Sequence, residues 1–115
     1  MKKIALFVFN GDPMCFIHVL LNGLDMHANG REARIIIEGT ATQLIPQLNK
    51  PGSPLQPLWE KARQQDIIDG VCKACSNKMG TLEAALEQKL NLLDEMKGHP
   101  SMDRYLTEGF EVVTF

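Results

Sequence analysis

Residues 69–80, DGVCKACSNKMG, carry two of the chain's three cysteines at C-x-x-C spacing, flanked by Lys73 and Lys78. Thiols so placed can do three kinds of chemistry. They can ligate a metal, cycle as a dithiol, or carry sulfur on one nucleophilic thiolate. They can also simply pack, because free cysteine is among the most buried residue types. Position favours chemistry at Cys72, which ends an apolar run of strand character and precedes a lysine. A nearby cation and a helix start lower a thiol's pKa and populate the reactive thiolate. Cys72 is therefore expected to be functional and more reactive than Cys15, with Cys75 evenly placed between function and packing.

A zinc site needs four ligands, and a lone C-x-x-C supplies two. Cys15, His18 or His99 could complete such a set, though their spacing matches no finger or ribbon. A thioredoxin-type dithiol would open a helix, whereas here a loop is expected between Cys75 and Thr81. His99 precedes Pro100 and so is held extended at a loop edge, fit for a ligand or proton-transfer role. Asn10, Cys15 and His99 are the ligand-binding candidates beside the cysteine pair. His18 and His27 read as surface residues, and Phe16, Trp59 and the methionines as core. No G-x-G-x-x-G or Walker pattern occurs, so no phosphate-cradling loop is expected. The residues require no resident cofactor, and no metal is assigned.

The elements that must position these groups follow from hydropathy and breakers. Lys3–Phe9 and Glu32–Gly39 are continuous apolar runs of strand length, the mark of strands covered on both faces. Asp12 can N-cap a helix that starts at Pro13 and runs to about Ala28, closed by Asn29 and Gly30. Its apolar stripe is read as Ile17, Leu20, Leu21, Leu24 and Ala28. Thr40 and Gln43 stand at capping-box spacing for a short helix that Pro46 should bend or end. A loop at residues 49–54 precedes a helix carrying Trp59 inward. Ile67–Cys72 is a third strand, Thr81 caps a further helix, and Leu90–Leu93 is read as a fourth strand. A short helix ending at Gly109 and a last strand from Phe110 complete the chain. This order gives one α/β domain over residues 1–115, with a mainly parallel sheet of roughly five strands in a three-layer, flavodoxin-like arrangement. Reactive groups then collect at the carboxyl ends of the strands. If the first and third strands are neighbours, Cys15, Cys72 and Cys75 converge on one edge.

Composition bounds the rest. At 115 residues, 44% apolar and 23% charged, the chain is an ordinary globular domain. A net charge of −2 without a basic patch argues against nucleic acid as a partner. The apolar run Ile4–Phe9 is too short for a secretory leader, and no stretch is long enough for a membrane span. The expected compartment is the cytoplasm. Apolar residues up to the C-terminal VVTF would leave a sheet edge exposed, so a homo-oligomer is expected.

With these elements placed, the chain resembles the DsrE-like family of small α/β proteins, which includes sulfur-relay subunits. The likeness rests on KIALFVFNGDP, EARIIIEG, GVCKACSNKMG and LTEGFEVVTF, with GHPSM, and covers nearly the whole chain. It implies a flavodoxin-like domain assembled as a trimer or hexamer. In relay members the carrier cysteine follows a hydrophobic strand in a VC…G context, matched here by Cys72 and Gly80. Cys72 would then hold a persulfide as a sulfurtransferase-type carrier, between a sulfur donor and an acceptor protein. The chain departs from relay members at Cys75. A second thiol there can attack a persulfide, releasing sulfide and leaving a disulfide. Two other readings stand beside sulfur relay. One is a metal- or small-ligand-binding oligomeric module using Cys72 and Cys75, with Cys15 or His99. The other is an oligomer subunit whose cysteines only pack.

Overall fold

The computed structural model describes all residues, Met1–Phe115. Five strands, β1 (Lys3–Val8), β2 (Glu32–Ile37), β3 (Ile68–Cys72), β4 (Leu92–Leu93) and β5 (Phe110–Thr114), form one sheet in the order β4-β3-β2-β1-β5. All four pairings are parallel. The three apolar runs become the three inner strands. Leu6, Val8, Ile35, Ile36 and Ile37 are fully buried, as continuous hydrophobicity requires of strands covered on both faces.

Strand order dictates the layers. From β1 to β4 the chain steps in one direction, and right-handed crossovers keep the connecting helices on one face. There α1 (Pro13–Ala28), α2 (Ile45–Leu48), α3 (Gln56–Gln64) and α5 (Leu82–Glu87) pack Phe16, Leu20, Leu48, Trp59 and Ala85 onto Leu6, Ile35 and Val71. The return from β4 to β5 crosses the opposite face, carrying α6 (Met102–Thr107). Tyr105 of α6 packs edge-on against Phe7 and Phe110 there. The result is a three-layer α/β domain with one thick and one thin helical layer.

Several local expectations change. Strands β1 and β3 are not neighbours, because β2 lies between them. The buried side of α1 is Phe16, Val19, Leu20 and Gly23, while Leu21 and Ala28 are exposed. Gly23 explains the rotation: a Cβ there would stand 2.8 Å from Ile35 Cδ1, so the helix approaches β2 through its one missing side chain. Asp12 caps α1 as expected, its carboxylate accepting from the Met14 N–H at 2.8 Å. Thr40 forms no capping box. Its hydroxyl donates to the Phe9 carbonyl and accepts from the Gly11 N–H, tying the end of β1 to the 3-10 helix Gly39–Leu44. The short helix ends at Leu44, just before Pro46, and Pro46 stands in the first turn of α2, where its missing N–H costs nothing. Thr81 precedes α5 without a side-chain cap bond and donates instead to the Ser76 carbonyl. No loop follows Cys75. The six-residue helix α4 (Lys73–Lys78) begins directly after β3, with Cys75 in its first turn.

Candidate functional site

Three strand ends converge on one site. Glu38 follows β2, its N–H donating to the Val8 carbonyl at 2.8 Å. Gly39 then turns the chain at φ +56°, where a side chain would press on the Phe9 carbonyl oxygen at 3.0 Å. This sharp exit leaves the Glu38 carboxyl buried at the sheet edge, 7% exposed.

Cys72 is both the last residue of β3 and the N-cap of α4. Its Sγ accepts the Cys75 N–H at 3.3 Å, the bond a serine or aspartate cap would make. Ser76 Oγ donates to the Cys72 carbonyl at 2.7 Å and locks the same turn. The C-x-x-C spacing therefore brings both thiols to one side of the strand-to-helix junction.

His99 arrives on a hairpin after β4. Met96 and His99 exchange both backbone hydrogen bonds, at 2.8 and 3.0 Å, around Lys97 and Gly98 at φ +50° and +92°. Two consecutive left-handed residues are what a tight two-residue hairpin turn demands. The Gly98 carbonyl accepts from the Ala74 N–H at 2.8 Å, which seats the hairpin on α4. A Cβ on Gly98 would lie 3.1 Å from the Ala74 Cβ, so glycine is required for that approach as well as for the turn. The loop is also moored to α6. The Glu95 carboxylate accepts from the Ser101 N–H and pairs with Arg104 at 3.5 Å. Arg104 also pairs with Asp69 and Glu108.

The geometry is compact. His99 Nδ1 stands 3.1 Å from Cys72 Sγ and 3.8 Å from Cys75 Sγ. Ligand atoms of Glu38, Cys72, Cys75 and His99 all lie within 4.8 Å of one another. Glu38 and Cys72 are buried, and Cys75 and His99 are partly exposed. Burial raises the Glu38 carboxyl to about 7. Cys72 is pushed up to about 12, first by burial and then by the Cys75 side chain, against a lowering from the Cys75 N–H, with the charge of Glu38 adding the least. The expectation of an acidified Cys72 thiolate is thus corrected. Lys73 does not serve it, being paired with Asp94 at 3.8 Å on the surface.

The other sequence candidates lie elsewhere. Cys15 is partly exposed beside His18, Asn22 and Phe115 and does not join Cys72 and Cys75. Asn10 is exposed, and its side-chain oxygen accepts from the Asp12 N–H at 2.8 Å, shaping the turn into α1. Of the three ligand-binding candidates, His99 alone reaches the cysteines. Glu38 is the residue sequence reasoning missed. Its signal was available: a lone acid ending a buried β-branched run at the carboxyl end of a strand.

Two thiols, an imidazole and a carboxyl, two of them buried, form a donor set whose three acidic members repel each other as anions without a cation between them. With a cation between them, the same groups become ligands. In a tetrahedral zinc-class site, Zn–S near 2.3 Å and Zn–N near 2.0 Å put adjacent donors about 3.5–3.7 Å apart. The observed nitrogen–sulfur separations of 3.1 and 3.8 Å bracket that value.

No protein-family model matches the chain, and no solved structure matches it. Two archaeal relatives do. The chain is similar to an uncharacterized protein of Archaeoglobus fulgidus, 46% identical over 52 residues, which covers 45% of this chain and 84% of the relative. It is also similar to the uncharacterized protein MJ0733 of Methanocaldococcus jannaschii, 30% identical over 97 residues, covering 84% of this chain and 77% of the relative. At that identity and coverage, the chain belongs to the same family as the Methanocaldococcus jannaschii protein.

Proposed function

We propose that this protein is a metal-binding module that holds one zinc-class divalent ion through Glu38, Cys72, Cys75 and His99. The observation that carries this reading is the meeting of four ligand atoms, from three separate strand ends, within 4.8 Å of one another. Two thiolates with one imidazole and one carboxylate suit zinc and its tetrahedral relatives over magnesium or calcium, which take oxygen donors. Sulfur relay through a Cys72 persulfide remains the alternative drawn from the DsrE-like resemblance. It requires Cys72 to meet a donor and an acceptor protein, and full burial of the thiol favours ligation within the fold over that exchange. Metal analysis of protein purified without chelator tests the choice. The metal reading expects close to one zinc-class ion per chain, lost on Cys72→Ser. A chain free of metal that gains one sulfur atom at Cys72 from a sulfur donor would replace it with the relay reading.

No helix is long and apolar enough to cross a membrane. Three free cysteines suit the reducing cytoplasm, which we take as the compartment. The edge strand β5 presents Val113, 41% exposed, and pairs on one side only. This supports assembly as a homo-oligomer, with trimer or hexamer following from the resemblance. A monomer mass by light scattering at micromolar concentration would remove that part of the proposal.

A further inference from the structure

A cavity of about 340 Å³ opens against the proposed metal site. Phe9, Met96, Pro100 and Met102 form its apolar walls, with Ser101 and Asp103 at its polar side. Of the four metal donors, only Glu38 belongs to its lining. Glu38 is therefore the metal donor next to the cavity. On a borderline-soft ion already holding two thiolates, an oxygen donor is the one a sulfur ligand replaces most readily.

We propose that this cavity admits a small thiol, neutral or cationic at its far end, whose sulfur takes the place of Glu38 on the metal. The proposal rests on the metal-binding reading and names the ligand of that same site. In the exchange the metal–oxygen bond to Glu38 breaks and a metal–sulfur bond forms. The thiol's proton leaves to bulk water through the open mouth, and no atom changes oxidation state. The apolar walls receive the carbon stem of the thiol. The lining carries two acids, Glu38 and Asp103, and no base, so a thiol ending in a carboxylate is repelled and one ending in an ammonium is drawn in.

Cobalt(II), loaded into the intact chain in place of zinc, reports the thiolate count through its sulfur-to-metal charge-transfer absorption. Cysteamine, added to the cobalt protein, is expected to raise that absorption by about one half as two thiolates become three, and to saturate. Cysteamine should bind at least about threefold better than mercaptoacetate, and Asp103→Asn should narrow the difference. If the cobalt protein shows thiolate absorption that neither thiol changes, the cavity ligand is refuted while the metal site stands. Cobalt recovered in the filtrate after thiol addition also refutes it, because the thiol then strips the ion instead of joining it. Equal or tighter binding of mercaptoacetate overturns the charge preference. If cobalt gives no thiolate absorption at all, the metal-binding reading itself fails.

Discussion

Glu38 makes the metal-free protein sensitive to pH in a direction opposite to that of the metal-bound one. Burial raises its carboxyl from 4.5 to about 7. Below 4.5 the group is protonated in both the folded and unfolded chain, and pH has no effect through it. Between 4.5 and about 7 the folded chain keeps the proton that the unfolded chain has lost. The native state then binds more protons, so stability falls as pH rises. Above about 7 both states are ionised and the loss is complete. At 1.36 kcal/mol per pKa unit, the window corresponds to at most about 3 kcal/mol. Urea denaturation of chelator-treated protein at about pH 5 and about pH 8 should show that decline, and Glu38→Gln should flatten it. With zinc present the trend should reverse, because the thiols must lose protons to bind and a higher pH favours the loaded, folded state. A metal-free wild type and Glu38→Gln with the same pH profile would refute the claim that Glu38 is desolvated at this site.

Other perturbations separate the residues of the site from their surroundings. In chelator-treated protein Cys75 should alkylate before Cys72, whose rise from 9.0 to about 12 lowers its thiolate fraction about a thousandfold. Zinc should protect both while leaving Cys15 reactive, and peptide-level mass spectrometry after brief alkylation reads each rate. Cys72→Ser or His99→Ala should weaken zinc at least about a hundredfold in a chelator competition, whereas Cys15→Ser should leave affinity unchanged. Gly98→Ala, at φ +92° and 3.1 Å from the Ala74 Cβ, should cost about 1–2 kcal/mol in the His99 hairpin and about tenfold in zinc affinity. Gly80→Ala, at φ +73° with open space around it, should lower stability without changing zinc affinity.

Much of the fold was legible because its signals are local. Ile4–Val8 and Ile35–Ile37 announced inner strands, and Asp12 before Pro13 announced the start of α1. The rotation of α1 was not legible. Leu21 is the more hydrophobic residue, yet Gly23 faces the sheet because only a missing side chain permits that approach to Ile35. Strand order was also hidden, since periodicity says which strands are buried and nothing about which are neighbours. That is why Cys15, on the helix after β1, was grouped with thiols that stand beyond β2. At the site, the cysteine pair and His99 were visible by residue type. The helix opening at Cys72 was missed because cysteine is not among the usual capping residues, although its sulfur makes the same bond. Glu38 was missed because its partners lie 34 to 61 residues further along the chain, joined only by the folding of β2, β3 and the hairpin after β4.

The most direct test of the central claim is X-ray absorption at the zinc edge on protein loaded with one equivalent of zinc. The proposed site should give two sulfur neighbours near 2.3 Å and two nitrogen or oxygen neighbours near 2.0 Å. A shell of nitrogen and oxygen alone would contradict ligation by Cys72 and Cys75, and with it the metal site proposed for this protein.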